Sequence, residues 1–251
     1  MSSRLAATML LGLGAFVGTS GVASESAHAS PSSPNPPTTQ PTQSGKARPS
    51  SAERDRWDRW TQTFAKSQGL DWHLAKAVRI KESFDDPYYV STTGAVGLMQ
   101  LMPPAPRRKI GGGRLHITQN YLHFLRARRS KGRRYRGKSS RAWGLAYQRE
   151  LLALVRSSSA AKLATLDSRF DARWNLRRGV AHLARDWRRF RKRYPEATAA
   201  QLREMTLVAY YAGPGRVRFV GGRVKTPSYT KAYVADVLAV YARLRKGLPG
   251  R

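Results

Sequence analysis

Trp57, Trp60 and Phe64 recur three and four residues apart, the repeat of one apolar face of an α-helix. Ser51, followed by Glu53 and Asp55, has the chemistry of a helix start. Gly69 breaks this helix and Asp71 is placed to cap the next. In that second helix Leu74, Ala77, Val78 and Lys81 share one face, and Ala75, Arg79 and Glu82 another. Glu82 lies about three turns from the cap, near the end. Phe84 to Thr93 is polar and turn-rich, and a glycine-punctuated apolar run from Gly94 to Pro103 follows. Beyond it Tyr121, Leu122 and Leu125 predict a short helix, and Trp143 to Val155 another. From Asp171, a candidate cap, the positions Trp174, Val180, Leu183, Trp187 and Phe190 form an amphipathic stripe that Pro195 ends. A further helix closes at Leu207 to Ala212, stopped by Gly213-Pro214-Gly215, and a last one is expected over about 228–245. The pattern predicts a mainly α domain.

Composition adds an address and an environment. The chain has 251 residues, no cysteine and a formal net charge of +31. Absence of cysteine excludes disulfides, thiolate metal sites and cysteine nucleophiles. The five histidines, His28, His73, His116, His123 and His182, show no metal-ligand spacing, so neither metal nor cofactor is expected. Such a charge implies an anionic partner: nucleic acid, an anionic membrane or an anionic wall polymer. Residues 1–29 read as a secretory signal: Arg4, then an apolar stretch from Leu5 to Val17 too short for a comfortable membrane span, then Ala27-His28-Ala29 as a cleavage site, with Val22-Ala23-Ser24 as the second choice and a retained N-terminal anchor as the alternative. Export, to a periplasmic or extracellular wall location, argues against nucleic acid. Residues 30–52, made of Ser, Pro, Thr and Gln, read as a disordered tether, which leaves 53–251 as the folded domain.

Glu82 is the candidate for chemistry. A carboxyl set against aliphatic and thioether side chains is pushed toward its protonated form, and a carboxylic acid still protonated near neutrality can serve as a general acid. Gly94 and Gly97 allow close backbone approach or positive φ. Glu82-Ser83, then Ser91-Thr92-Thr93-Gly94-Ala95-Val96-Gly97-Leu98-Met99-Gln100-Leu101-Met102-Pro103, resembles the soluble lytic transglycosylases. The resemblance covers residues 56–103 and 170–245. It continues in Asn175 to Leu183, in Ala209-Tyr210-Tyr211-Ala212-Gly213-Pro214-Gly215 and in Tyr233-Val234-Ala235-Asp236-Val237. It implies a lysozyme-like α+β catalytic domain that cleaves the glycan strands of peptidoglycan between N-acetylmuramic acid and N-acetylglucosamine. Anhydro ends form, with Glu82 as the single acid/base and no metal. It also implies a substrate site lined by Ser91, Gln100, Met102, Tyr210 and Tyr233. A core role for Tyr233 and an ordinary half-buried amide for Gln100 are the plain alternatives. Tyr211 stands where the family pattern has Asn, and no Glu precedes Tyr233. Asp85 and Asp86 are available as a second carboxylate, although the family pattern gives them no such role. A hydrolytic muramidase and a non-catalytic wall- or polyanion-binding protein on the same scaffold are the competing readings.

Between Arg107 and Arg149 stand fourteen Lys/Arg and no acid. Residues 104–165 read as a basic insertion, a flexible cationic arm that meets anionic wall polymer or a membrane surface while the motif blocks carry catalysis without it. The bland alternative is a solvated loop.

Overall fold

A computed structural model describes residues 45–103, 113–130 and 134–250. The signal and most of the tether, and within the basic segment residues 104–112 and 131–133, lie outside the described residues. Among the described residues there are eight α-helices and one two-stranded sheet, a mainly α fold of the lysozyme-like kind expected, and no helix is long and apolar enough to cross a membrane.

Helix α1 (Ser51–Ser67) begins one residue inside its cap. Ser50, not Ser51, accepts from the Glu53 amide, while the Glu53 carboxylate accepts from the Ser50 amide. This reciprocal pair satisfies two orphan donors. The helix therefore takes in residues 51 and 52, which had been assigned to the tether. Asp71 caps α2 (Trp72–Ser83) through the His73 amide. Helix α2 is buried on nearly every side, including Arg79, which is 1% exposed. That guanidinium bonds Asp85, Thr61 and Asp58 at 2.8, 3.2 and 2.7 Å. It ties α1, α2 and the turn after α2 into one unit.

Two apolar cores follow. The larger packs α1 and α2 against α6 (Ala172–Arg193), α7 (Ala199–Ala212) and α8 (Ser228–Arg245) around Leu74, Val78, Leu98, Met99, Val180 and Met205. The smaller packs α3 (Gln119–Arg129), α4 (Ser140–Ser157) and α5 (Ala160–Leu166) around Tyr121, Phe124, Tyr147, Leu151 and Leu163. A hairpin of β1 (Phe219–Val220) and β2 (Arg223–Val224) turns through Gly221 and Gly222, both with positive φ, the geometry that a tight two-residue turn demands.

The segment 104–165 is thus no flexible arm over its described length. Its helices share the second core with Val90, Val96 and Phe170, and they grip the glycine run. Tyr121 donates to the Pro103 carbonyl at 2.7 Å and Gln148 to that of Val90 at 2.8 Å. A Cβ on Gly94 would lie 2.4 Å from the Tyr147 ring. The fourteen cations concealed this in the sequence, because the apolar residues beneath them are few and split between two helices.

Candidate active site

Glu82 occupies the last turn of α2. The helix ends because Phe84 and Asp85 both take left-handed φ, 52° and 60°, a conformation that costs a non-glycine residue about 1–2 kcal/mol. The Asp85 ion pair with Arg79 offsets that strain. It also commits Asp85 to structure, and Asp86 binds the Tyr88 amide at 2.8 Å. Both carboxylates thus have partners of their own.

The glycine run folds back on itself as a small antiparallel loop. Val96 bridges both Val90 and Leu101, and Gly94 and Gly97 have φ of 81° and 79°. Buried side chains from outside the run then hold the loop. Asn175 of α6 accepts from the Met99 amide at 2.8 Å and donates to the carbonyls of Val96 and Arg169 at 2.9 and 2.8 Å. Arg169 donates to the carbonyls of Gly94 and Leu101 and to the Tyr147 hydroxyl, and pairs with Asp167 at 2.6 Å. Ser83 donates to the Leu98 carbonyl. A Cβ on Gly97 would lie 2.4 Å from the Asn175 amide nitrogen, and one on Gly179 would meet Met99 at 2.4 Å. The glycine of α6 therefore admits this loop rather than a neighbouring helix.

The side chain most directly on Glu82 is Tyr233 of α8, whose hydroxyl donates to Glu82 Oε1 at 2.7 Å. Burial pushes the Glu82 carboxyl up from its usual value to about 7, against the opposing pull of the Tyr233 hydrogen bond and the Lys81 charge. Burial, and the nearness of that carboxylate, push the Tyr89, Tyr210, Tyr211 and Tyr233 phenols up. Glu82 is half-buried, and of these phenols Tyr233 is the one hydrogen-bonded to it. One of its oxygens is fixed by Tyr233, which leaves Oε2 to carry a proton.

The other residues expected to line a substrate site hydrogen-bond to the loop or within it. Tyr210 donates its hydroxyl to the Met99 carbonyl at 2.6 Å. The Gln100 amide nitrogen donates to the carbonyls of Tyr89 and Gly97 at 3.0 and 2.9 Å, the structural role of an ordinary amide. Ser91 accepts from the amides of Thr93 and Ala95. Met102 is 39% exposed and its sulfur accepts from the Thr93 hydroxyl. Tyr211, the departure from the family pattern, stacks on Tyr233 with ring centroids 4.5 Å apart and 26° between planes. The extra ring is accommodated by bracing the phenol that meets Glu82. Sequence reasoning missed Arg169 and Asp167, and no periodicity marks them. Among the described residues no group of three or more His, Asp or Glu side chains could hold a metal ion.

A model of the transglycosylase SLT domain family matches residues 60–121. The match begins in α1, takes in Glu82 and the whole glycine loop, and ends in the first turn of α3. It agrees with the resemblance carried by the Glu82-Ser83 pair and the glycine run, and it extends past Pro103 into the basic segment. No curated protein and no solved structure matches the chain.

Proposed function

We propose that the protein is an exported lytic transglycosylase, which cleaves the glycosidic bond between N-acetylmuramic acid and N-acetylglucosamine in peptidoglycan. The observation that carries the reading is the Glu82 carboxyl, held near a pKa of about 7 by burial and fixed on one oxygen by Tyr233. It stands beside a glycine loop that matches the SLT family. Protonated Glu82 donates to the glycosidic oxygen, and the bond to the muramic acid anomeric carbon breaks. The substrate's own acetamido group stabilises the sugar cation. The Glu82 carboxylate then takes the proton of the same sugar's primary hydroxyl, whose oxygen closes the anhydro ring. Glu82 ends protonated, ready for the next cycle. Ordinary glycosidases need two carboxylates, one of them to activate or replace water. Asp85 is committed to Arg79 and Asp86 to the turn, which supports a route that needs a single carboxyl.

The pH dependence tests this reading. Glu82 must start protonated, so release of soluble muropeptides from purified peptidoglycan should hold below pH about 7 and fall above it. Tyr233→Phe removes a hydrogen bond to the charged form, worth about 1.5–3 kcal/mol. Its loss should move that alkaline limb upward by about one to two units and leave the melting temperature nearly unchanged at pH about 5, where Glu82 is protonated in both proteins. A limb that stays in place in Tyr233→Phe would separate Tyr233 from Glu82 chemistry. Absence of any muropeptide release would overturn the enzyme reading in favour of wall binding alone.

A further inference from the structure

Nine residues of α6 are exposed, and each is a cation: Arg173, Arg177, Arg178, Arg185, Arg188, Arg189, Arg191, Lys192 and Arg193. The inward face carries Leu176, Gly179, Val180, Leu183 and Phe190. The single acid of the helix, Asp186, is fully buried; its carboxylate lies 3.5 Å from Arg189 and 3.8 Å from Arg185. Arg188 is tied to Gln68. Among the described residues no salt bridge joins Arg173, Arg177, Arg178, Arg191, Lys192 or Arg193 to a carboxylate. Like charges at i and i+4, as in Arg173/Arg177 and Arg189/Arg193, destabilise a helix. Arg173, Arg178 and Arg193 lie over the rings of Trp60, Trp174 and Tyr194, which leaves the row short of anionic partners, and a polyanion laid along it would offset the repulsion.

From these observations we infer that the outer face of α6 is a docking surface for a linear phosphate polymer of the cell wall, a polyol-phosphate chain. A helix of 22 residues is about 33 Å long and repeats its faces every 5.4 Å or so, which suits an extended chain rather than a point ligand. Eight of the nine cations are arginines, whose planar forks match phosphate oxygens in pairs. None of the exposed large apolar side chains among the described residues, Met102, Ile117, Leu166, Val220 and Leu248, is on α6, whose exposed positions are all cationic. The preference for a wall polymer over nucleic acid rests on the proposed function. The basic segment expected to play this part has its helices built into the second core and the support of the glycine loop.

The experiment compares the full protein with two variants of equal charge change. One carries Arg177→Gln, Arg178→Gln, Arg191→Gln and Lys192→Gln on α6. The other carries Arg128→Gln, Arg129→Gln, Arg134→Gln and Arg141→Gln on the α3–α4 side. The probe is labelled, lipid-free poly(glycerol phosphate), titrated over a series of salt concentrations. The α6 variant should bind at least about tenfold more weakly at low salt, and its log affinity should fall with log salt by a slope about 3 shallower, since each phosphate contact contributes about 0.7–0.9. The control variant should lose clearly less. The inference is overturned if the wild type does not bind the polymer or if both variants lose equally, which would make net charge alone responsible. Tighter binding to phosphatidylglycerol vesicles or DNA at equal phosphate would overturn it as well. Cleavage of polymer-free peptidoglycan, run in parallel, keeps the two claims apart. The α6 variant should cleave at the wild-type rate. Lost polymer binding with intact cleavage touches only the docking surface, and absent cleavage in every protein touches only the enzyme reading.

Discussion

Glu82→Gln should lower turnover on peptidoglycan by at least the roughly 10²–10⁴-fold that general acid–base catalysis supplies. Glutamine keeps the shape and can still accept from Tyr233, but it supplies no proton to a leaving oxygen and takes none from an attacking hydroxyl. On the proposed route one residue serves both half-reactions, and the nearby acids have other partners: Asp85 is paired with Arg79 and Asp86 with the turn amide. The same variant has a stability signature with a fixed sign. The folded pKa of Glu82, about 7, lies above the ordinary carboxyl value of 4.5. Between those values the folded protein holds a proton that the unfolded chain has lost, so this group's contribution to stability falls as pH rises through the interval. Glu82→Gln abolishes that fall. Relative to wild type it should therefore be more stable above pH about 7 than near pH about 5. Activity within a few-fold of wild type, or a melting-temperature difference that does not change with pH, would remove Glu82 from the centre of the account.

Arg169→Met should cost about 3–5 kcal/mol, the usual result of stripping one partner from a buried ion pair. Both Arg169 and Asp167 are fully buried. The substitution leaves the Asp167 carboxylate with the amides of His116 and Arg169 as its remaining donors. It also releases the carbonyls of Gly94 and Leu101 that the guanidinium holds. For a domain of this size that loss lowers the melting temperature by roughly 2–4 °C per kcal/mol, so thermal denaturation reads it directly. Arg169→Met combined with Asp167→Asn should recover part of the loss, because the uncompensated charge is gone. A melting temperature within about 2 °C of wild type would mean that the glycine loop does not depend on this pair.

The sequence made one half of the site legible. Glu82 at a helix end and the two positive-φ glycines are local signals of spacing and residue type, whereas Tyr233 enters only with the family resemblance. The supporting half depends on long-range contacts that leave no periodic trace. Arg169 and Arg79 are buried, yet in a chain with 46 Lys/Arg each reads as one more solvated charge. Tyr210 and Gln100 are expected to line a substrate site, and their hydrogen bonds go to the backbone carbonyls of Met99, Tyr89 and Gly97, a choice fixed by packing that residue type alone does not reveal. The helices α3 and α4 were expected from Tyr121, Leu122, Leu125 and Trp143 to Val155. That they form a second core under Val90 and Val96 was not, because a cationic surface hid a modest apolar face. The exposed row on α6 shows the converse. Its apolar stripe is legible in the sequence, and what the opposite face carries matters only once the inward face is known.

The most direct test of the central claim is peptidoglycan digestion in heavy-oxygen water, with mass spectrometry of the released muropeptides. If one carboxyl turns the substrate's own hydroxyl onto the sugar cation, the new muramic ends are anhydro forms. They are lighter than the hydrolysed product by one water and carry no heavy oxygen. Reducing ends that carry the heavy isotope would mean that water is the nucleophile and would contradict the account.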